Sequence, residues 1–473
     1  MLLKYFYDDT LAHASYLVGC QRTREAIVID PGRDIEPYLA VAKAKGMKIV
    51  AATETHIHAD FVSGARELAD RADAKLLLSG TGPEDWQYEF ADQYEHQILL
   101  DGDRFSIGNI DFEVLQTAGH TPESISLVLT DRGGKADEPM GIFTGDFVFV
   151  GAIGRPDLLE EAAGIENSAE PGARQLFDSI RRFKELPDYL QVWPAHGAGS
   201  ACGKGLGAIP SSTVGYEKRF NPALQYENED EFVGYVLKDQ PPAPRYFGQM
   251  KKVNKLGPAL IGELPEQVYS ESAELPTLDS NDTVLDIRSA KEFAEGHFPR
   301  AINIPSHMLA GWAGWIVNYD QPLHLIGSRD QIDAARKLLL KIGVEKFGKF
   351  FESENAMDKS LFSAKYEVAS PAKLQAQIAE GSVHLIDVRS KAEWNAGHIE
   401  QATHRFLGTL DQQVEQIRSD AAGKAVVVQC QGGIRSAIAC SILKQAGIEV
   451  INMTGGYNAW LQAAPASCLV PSR

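Results

Sequence analysis

Four short motifs in the first half of the chain carry side chains that can bind a metal ion. They supply His56, His58, Asp60, His120, Asp146 and His196. In the first motif, Thr-His-Ile-His-Ala-Asp-Phe, the two histidines and the aspartate occupy alternate positions after an apolar strand. Imidazole nitrogens and carboxylate oxygens are the ligands expected of a borderline transition metal. A single His-x-His pair is weak support, but four such motifs, each at the end of a strand-like run, favour a metal site.

A second reactive motif lies near the other end of the chain, where an apolar run (426–428) leads into Gln-Cys-Gln-Gly-Gly-Ile-Arg-Ser. A strand, a short glycine-containing loop and a helix start can form a cradle for an anion. Its backbone N–H groups and the positive helix end would stabilise the thiolate of Cys430, and Arg435 adds charge. Cysteine phosphatases use the wider Cys-x5-Arg loop, whereas this Cys-x4-Arg loop resembles that of rhodaneses and suits a single sulfur.

The resemblance to rhodaneses implies roles for the residues of this loop. Cys430 is the predicted nucleophile that carries a persulfide, and Arg435 is expected to assist it. The loop positions expected to line the substrate site are Gln431, Gly432, Gly433 and Ile434. A buried structural cysteine is the alternative interpretation of Cys430.

The segments between these motifs indicate the elements that position them. Strand-like runs (14–18, 26–30) and helix-like runs (35–45, 64–71) alternate in the first part of the chain. This alternation predicts a layered α/β domain rather than a helical bundle. Proline clustering near residues 239–247 predicts an extended exit from that domain.

An internal repeat fills the second half of the chain. Asp286-Ile-Arg-Ser recurs as Asp387-Val-Arg-Ser, and the matching Glu-aromatic and Gly-His pairs follow at the same offset of 101 residues. Two homologous α/β domains of about 100 residues explain the pattern, since the period is too long for a solenoid. The first copy has no cysteine in its equivalent loop (326–329). We expect it to be non-catalytic, as a spacer, a docking surface or part of a substrate entrance.

Composition excludes several classes of function. The chain has 473 residues, 44% hydrophobic and 23% charged, with a formal net charge of −18. Nucleic acid is not expected as a partner, because it binds largely through Lys and Arg. The N-terminus lacks a signal-peptide pattern, and no apolar run approaches the roughly 20 residues that a bilayer requires, so no membrane association is expected. Five dispersed cysteines favour a reducing cytoplasm.

The metal-site motifs resemble those of the metallo-β-lactamase fold, and this resemblance covers residues 1–240. The usual motif there is His-x-His-x-Asp-His and holds two zinc ions, but Phe61 occupies the last position here. The departure resembles the persulfide dioxygenase branch, which implies one Fe(II) per chain. Its ligands would be His56, His120 and Asp146, leaving open positions for substrates. His58, Asp60 and His196 would orient these ligands by hydrogen bonds.

Two further residues follow from the same resemblance. Residues 151–157 are similar to the branch's Gly-Arg-x-Asp loop, so Arg155 is predicted to grip a substrate carboxylate or phosphate; a surface ion pair is the alternative. The glycine-rich stretch after His196 is similar to that of CstB-type dioxygenase–rhodanese fusions. We hypothesise that Cys202 forms a mixed persulfide or disulfide with substrate, and an inert loop cysteine is the alternative.

Over nearly its whole length the chain resembles CstB-type persulfide dioxygenase–sulfurtransferases. This implies an α/β multidomain protein, with an αββα metallo-β-lactamase fold followed by two rhodanese-like α/β domains. The expected ranges are a dioxygenase domain (1–245), a linker (246–258), a rhodanese-like domain without cysteine (259–362) and a rhodanese domain with Cys430 (363–473). A homo-oligomer is expected.

The resemblance also implies the reaction. A glutathione or coenzyme A persulfide would be oxidised by O2 to sulfite, and Cys430 would pass sulfane sulfur to sulfite to give thiosulfate, as in sulfide detoxification. Two alternatives stay open. One is a zinc-dependent thioester hydrolase resembling glyoxalase II, fused to a sulfurtransferase. The other is a non-oxidative sulfur-relay or sensing protein.

Overall fold

The computed structural model describes residues 1–163, 167–353, 360–463 and 469–471. The chain divides into two units, Met1–Leu264 with Leu340–Gly343, and Pro265–Leu339 with Val344–Arg473. The predicted α/β class is confirmed, since strands and helices alternate throughout both units. Cys468 lies outside the described residues.

The apolar runs of the first unit form two six-stranded sheets. The strands of the first sheet, in spatial order, are β1 (Leu2–Asp8), β2 (His13–Cys20), β3 (Glu25–Ile29), β4 (Lys48–Thr53), β5 (Lys75–Ser79) and β6 (His96–Leu99). Those of the second sheet, in chain order, are β7 (Arg104–Ile107), β8 (Ile110–Gln116), β9 (Ile125–Asp131), β10 (Gly141–Gly145), β11 (Gln191–Pro194) and β12 (Ser212–Thr213). In the first sheet β1–β3 are antiparallel and β3–β6 are parallel. In the second sheet only the β10–β11 pair is parallel.

Helices cover the outer face of each sheet. In the described part of the first unit they are α1 (Glu36–Lys45), α2 (Ala65–Ala72), α3 (Leu158–Ala163), α4 (Ala169–Glu185), α5 (Val214–Phe220), α6 (Glu229–Leu237) and α7 (Tyr246–Leu256). Helix α4 shows why they lie there: Leu176, Ile180 and Phe183 recur at helical spacing and are buried against the second sheet. One apolar core lies between the sheets, and one more lies outside each sheet. The predicted αββα arrangement is therefore confirmed.

The segment expected to be a linker contains α7. Tyr246, Phe247 and Met250 lie on one face of this helix and are buried. Burial of this apolar face stabilises a helix here, whereas the preceding proline cluster had predicted an extended segment.

The second unit contains two five-stranded parallel sheets and one small antiparallel pair. The first sheet is formed by β13 (Val268–Tyr269), β14 (Thr283–Asp286), β15 (Ile302–Asn303), β16 (Leu323–Gly327) and β17 (Phe347–Glu352). The strands that follow are β18 (Glu367–Ala369), β19 (His384–Asp387), β20 (Gly397–Ile399), β21 (Thr403–His404), β22 (Val426–Gln429), β23 (Val450–Met453) and β24 (Leu469–Pro471). The helices are α8 (Ala290–Glu295), α9 (Leu309–Ile316), α10 (Arg329–Lys341), α11 (Pro371–Ala379), α12 (Lys391–Asn395), α13 (Val414–Ala421), α14 (Ile434–Gln445) and α15 (Gly456–Ala463).

The two five-stranded sheets have the same topology. Their spatial orders are β13-β17-β16-β14-β15 and β18-β23-β22-β19-β21, which match strand for strand along the chain. The internal repeat is therefore a repeat of structure as well as of sequence. Within the described ranges, none of the helices is both long enough and apolar enough to span a bilayer.

Candidate metal centre and candidate cysteine site

The metal-site motifs meet at one edge of the two facing sheets. His56 follows β4, His120 follows β8, Asp146 follows β10 and His196 follows β11. These loops are buried, and each of the four side chains is at most 2% exposed. Strand ends thus deliver the predicted ligands to one place, as the positions of the motifs indicated.

His56, His120 and Asp146 form the group that suits a metal ion best. One potential ligand atom from each lies within 4.8 Å of the others. Asp146 Oδ2 is 3.8 Å from His56 Nε2 and 3.5 Å from His120 Nε2. His56 Nε2 and Asp146 Oδ2 are buried and have no hydrogen-bond partner, although buried polar atoms normally have one. The unused lone pairs of these converging atoms fit a cation.

Hydrogen bonds fix both imidazoles with the correct nitrogen free. His120 Nδ1 donates to the carbonyl oxygen of Arg155 at 2.9 Å. His56 Nδ1 lies 3.0 Å from Thr55 Oγ1, and that hydroxyl donates to Asp30 Oδ2 at 3.0 Å, so it accepts from the imidazole. Burial lowers the pKa of both histidines, that of His56 well below its usual range. Both rings are therefore neutral and present their Nε2 lone pairs to the centre.

His196 lies between two carboxylates. Its Nδ1 is 2.6 Å from Asp146 Oδ1 and its Nε2 is 2.6 Å from Asp60 Oδ2. Burial lowers the pKa of His196, but the two carboxylates override this effect and hold it well above the usual range. Burial likewise raises the pKa of Asp146, and His196 overrides it and holds it well below the usual range. The contact with His196 Nδ1 fixes the Asp146 carboxylate, whose other oxygen lies near His56 and His120.

The remaining histidine of the first motif points elsewhere. His58 Nε2 bonds to Asp30 Oδ1 at 3.1 Å, so His58 shares an anchor with Thr55. Phe61 is 1% exposed, and its ring centroid lies 4.4 Å from that of His58 and 3.8 Å from that of His13. An apolar side chain therefore fills the position where the usual motif has a histidine.

Cys202 lies beside the same centre. Its side chain, Asp60 and His196 form a second buried group whose ligand atoms are within 4.8 Å of one another. Burial, and then the carboxylates of Asp60 and Asp146, raise the pKa of the Cys202 thiol well above its usual range. Cys202 therefore lies beside the metal centre as a buried thiol.

Arg155 does not have the role that was expected of it. Its guanidinium is buried, donates to both carboxylate oxygens of Asp157 at 2.8 and 2.5 Å, and donates to Pro241 O at 2.7 Å. A guanidinium held in this way is not open to a substrate anion. Arg155 contacts the metal centre through its backbone carbonyl, which accepts from His120 Nδ1 and orients that ring.

The cysteine motif of the second repeat forms the expected cradle. Cys430 directly follows β22, and α14 begins after a four-residue loop (430–433). Gly433 N–H donates to Cys430 Sγ at 3.1 Å, and the thiol lies 3.5 Å from Ser436 Oγ. Gly456 packs directly against this loop, so closely that a Cβ at that position would lie 2.0 Å from Cys430 O. The thiol is buried at the N-terminal end of a twelve-residue helix.

Side chains around this loop are held by ion pairs and hydrogen bonds. Arg435 donates to both oxygens of Glu393 at 2.7 and 2.6 Å. Gln431 accepts from Arg389 Nη1 at 3.0 Å and donates to Asn458 Oδ1 at 2.5 Å. The predicted residues are thus brought together at the loop, but the Gln431 side chain is already bonded to Arg389 and Asn458. Ile434 is 41% exposed at the helix start.

The first repeat lacks the cradle as well as the cysteine. Strand β16 ends at Gly327 and α10 begins at Arg329, so Ser328 alone connects them. The paired Gly-His histidines of both repeats are structural: His297 and His398 stack on Phe293 and Trp394 with ring centroids 3.8 and 3.7 Å apart. The first repeat therefore keeps the frame and not the reactive loop.

Three residues that matter here are absent from the sequence-based predictions. Asp30 anchors Thr55 and His58, and Glu123 Oε1 accepts from the N–H of Ile57 at 2.8 Å. His13, buried with an unpartnered Nε2, packs on Phe61. A sequence signal for Asp30 is its place at the end of an apolar strand, directly before Pro31 and Gly32.

Comparisons with known proteins agree with this geometry. Residues 8–196 match the metallo-beta-lactamase superfamily. A solved structure of a metallo-beta-lactamase from Staphylococcus aureus subsp. aureus COL is 42% identical, with a TM-score of 0.67; the match covers 74% of this chain and 98% of that chain. The chain belongs to the metallo-β-lactamase superfamily. Beyond its metallo-β-lactamase domain, residues 370–463 match the rhodanese-like domain family, which confirms the fusion predicted from the motifs.

The curated relatives of the metallo-β-lactamase domain are named for different activities. The mitochondrial persulfide dioxygenase ETHE1 of Homo sapiens is 28% identical over 247 residues, 52% of this chain and 84% of that protein. A beta-lactamase hydrolase-like protein of Xylella fastidiosa is 29% identical over 290 residues, 55% of this chain. A hydroxyacylglutathione hydrolase of Actinobacillus pleuropneumoniae is 28% identical over 182 residues, 38% of this chain. The chain spans only 61% and 65% of the lengths of these last two relatives.

Proposed function

We propose that the protein oxidises a small thiol persulfide with O2 at one Fe(II) and transfers sulfane sulfur through Cys430. The observation that carries this proposal is the convergence of two neutral imidazole nitrogens and one carboxylate with unused lone pairs. Two histidines and one carboxylate with open positions are the ligand set of non-haem Fe(II) oxygenases. The similarity to persulfide dioxygenases supports the choice of substrate.

The proposed reaction has two stages, oxidation of a persulfide and transfer of sulfur. In the first, persulfide, O2 and water give thiol, sulfite and two protons, and the terminal sulfur is oxidised while dioxygen is reduced. In the second, the Cys430 thiolate attacks the outer sulfur of another persulfide and releases its thiol. Sulfite then attacks the sulfur held on Cys430, giving thiosulfate and regenerating the thiolate.

The residues of the metal centre would have distinct tasks. A bound Fe(II) would supply the redox chemistry, and His56, His120 and Asp146 would hold it. Thr55 and the Arg155 carbonyl keep the two imidazoles in the tautomer that binds a metal. Phe61 lines the centre with an apolar ring, which limits water around it.

The cysteine site would act by stabilising an anion. The N–H of Gly433 and the end of α14 face the thiol, where they would stabilise both the thiolate and a terminal sulfur bound to it. Arg435 is fixed beside the loop by Glu393. The short Cys-x4-Arg spacing would suit a single sulfur rather than a phosphate.

A zinc-dependent thioester hydrolase is the second candidate for the metal domain. It is favoured by the similarity to a hydroxyacylglutathione hydrolase and by the second donor group of Asp60, His196 and Cys202. Against it, His196 Nε2 and Asp60 Oδ2 lie only 2.6 Å apart, and Phe61 offers no lone pair. A non-oxidative sulfur relay would use Cys430 alone and would consume no oxygen.

Oxygen uptake distinguishes these candidates. Protein loaded with Fe(II) under anaerobic conditions is given glutathione persulfide, and oxygen, sulfite and thiosulfate are measured. We expect stoichiometric oxygen consumption and thiosulfate formation. In Cys430→Ser, sulfite should accumulate while oxygen uptake continues. Turnover of a thioester by the zinc form without oxygen, together with no persulfide oxidation by the iron form, would refute the proposal.

A further inference from the structure

The loop that carries the first metal-site motif is buried and depends on side chains for part of its backbone hydrogen bonding. Residues 54–64 contain neither helix nor strand, and all of them except Ala59 are buried. Buried N–H and C=O groups must nevertheless be satisfied. Backbone groups supply some of the partners, such as Ile125 N–H for Thr55 O and Pro31 O for Gly64 N–H, and side chains supply others. Those side chains determine the path of the loop and hence the placement of the motif.

Asn254 supplies three of these hydrogen bonds. Its Nδ2 donates to His58 O at 2.8 Å and to Phe61 O at 2.7 Å, and its Oδ1 accepts from Ser63 N–H at 2.9 Å. The side chain is 1% exposed. A carboxamide has two N–H donors, and both are used here on carbonyls of the same loop. Asn254 thus closes the turn that contains His58, Asp60 and Phe61.

Asn254 belongs to α7, the segment that the sequence predicted to be a linker, and this helix approaches the motif in a second place. Lys251 of α7 interacts electrostatically with Glu123. Glu123 Oε1 in turn accepts from Ile57 N–H, between the two histidines of the motif. The helix therefore acts on the loop in two places, at Ile57 through Glu123 and at residues 58–63 through Asn254.

We infer that Asn254 is a positioning residue for the metal centre, and that α7 holds the metal-binding loop in its competent conformation. The three hydrogen bonds fix the loop backbone, and the backbone fixes where His56 and Asp60 point. This inference rests on the metal-binding part of the proposed function and not on the reaction. Partners of metal ligands typically change metal affinity by about 10- to 100-fold when they are replaced.

Asn254→Asp is the sharpest perturbation. It keeps the oxygen that accepts from Ser63 but sets a carboxylate oxygen against the carbonyls of His58 and Phe61. The matched control is Asn303→Asp in the other unit, where a buried carboxamide donates to Asp286 O at 2.8 Å and Arg288 O at 3.0 Å. Both variants place the same charge against two carbonyls, and only one of them does so at the metal loop.

Metal binding is measured on the full chain with Co2+, by competition with a chelator and by the visible absorption of the bound ion. We expect Asn254→Asp to bind Co2+ about 10- to 100-fold more weakly than the parent, with altered absorption bands. Asn303→Asp should lose thermal stability while keeping the parent's affinity within about twofold. If Asn254→Asp does not fold, Asn254→Ser is measured instead, and weaker binding with altered bands is again expected.

Two results would overturn the inference. One is a folded Asn254 variant with the parent's affinity and spectrum. The other is an equal loss of affinity in Asn254→Asp and Asn303→Asp, which would mean that stability alone is responsible. A parent protein that binds no Co2+ or Fe2+ would instead refute the proposed function, so the two failures are distinguishable.

Discussion

The hydroxyl of Thr55 decides which nitrogen of His56 carries the proton. It accepts from His56 Nδ1 and donates to Asp30 Oδ2, both at 3.0 Å, in a site where Thr55 is 1% exposed. In Thr55→Val the shape is retained and both bonds are lost. The proton can then move to Nε2, where it blocks the lone pair that faces Asp146. Metal binding must reverse this change and leave a buried N–H without an acceptor.

The cost of an unsatisfied buried donor is about 1–3 kcal/mol. Since about 1.4 kcal/mol is a factor of ten, Fe2+ should bind about five- to 150-fold more weakly to Thr55→Val than to the parent. The assay is anaerobic competition with a chromogenic chelator. Thr53→Val is the matched control, because the Thr53 hydroxyl is equally buried and donates to Leu77 O at 2.6 Å, away from the metal centre. Equal Fe2+ affinity in Thr55→Val and the parent, or an equal loss in Thr53→Val, would refute the reasoning.

Two further predictions concern ion pairs. Arg155→Met leaves Asp157 buried without its partner and should lower the free energy of unfolding, measured by urea titration, by about 3–5 kcal/mol. A large rise in KM at unchanged stability would instead indicate that Arg155 binds substrate. Burial raises the pKa of Glu393, but Arg435 overrides this and lowers it to about 2. Because this pKa is depressed, the ion pair stabilises the folded state fully when the pH is above 4.5, the ordinary pKa of a glutamate. The stabilisation is lost as the pH falls through about 2. Glu393→Gln should therefore be less stable than the parent at pH 7, with the difference shrinking below pH 4.5. Glu292→Gln, which alters the same capping box in the first repeat, should lose less stability, and equal losses would contradict the prediction.

The sequence was sufficient for features that depend on local pattern. Alternating strand and helix runs predicted the α/β layers, and motifs at strand ends predicted a metal site. The resemblance to persulfide dioxygenases singled out His56, His120 and Asp146 within it. The short Cys-x4-Arg spacing likewise predicted the cradle around Cys430. In each case the deciding residues are neighbours in the chain, or the rule that strand ends share one edge of a sheet brings them together.

Features that depend on distant partners were not predictable. Asn254 bonds to His58 across 196 residues, and its own surroundings in the sequence suggested only a linker. Arg155 was misjudged for another reason. Its partner Asp157 lies two residues away, but only the folded loop shows that the guanidinium is buried and used.

A comparison of the two repeats shows which shared residues stabilise the fold and do not depend on the cysteine. Asp286 binds Arg288, which donates to Gly296 O at 3.1 Å; Asp387 binds Arg389, which donates to Gly397 O at 2.8 Å. The same buried pair thus joins a strand end to the following turn in both copies, whether or not the copy has a cysteine. The Asp-x-Arg-Ser motif therefore marks the fold and not the reaction.

The connection after the central strand is where the copies differ in chemistry. Four residues form the loop around Cys430, whereas Ser328 alone links β16 to α10. Ser328 N–H is already used, since it donates to Gln331 Oε1 at 3.0 Å. A thiol at this position would lack both the room and the N–H groups that stabilise a terminal sulfur. We therefore expect Ser328→Cys, combined with Cys430→Ser, to gain no mass increment of one sulfur after exposure to glutathione persulfide, while the parent gains it on Cys430. Stable sulfur on Cys at position 328 would show that loop length does not control the chemistry.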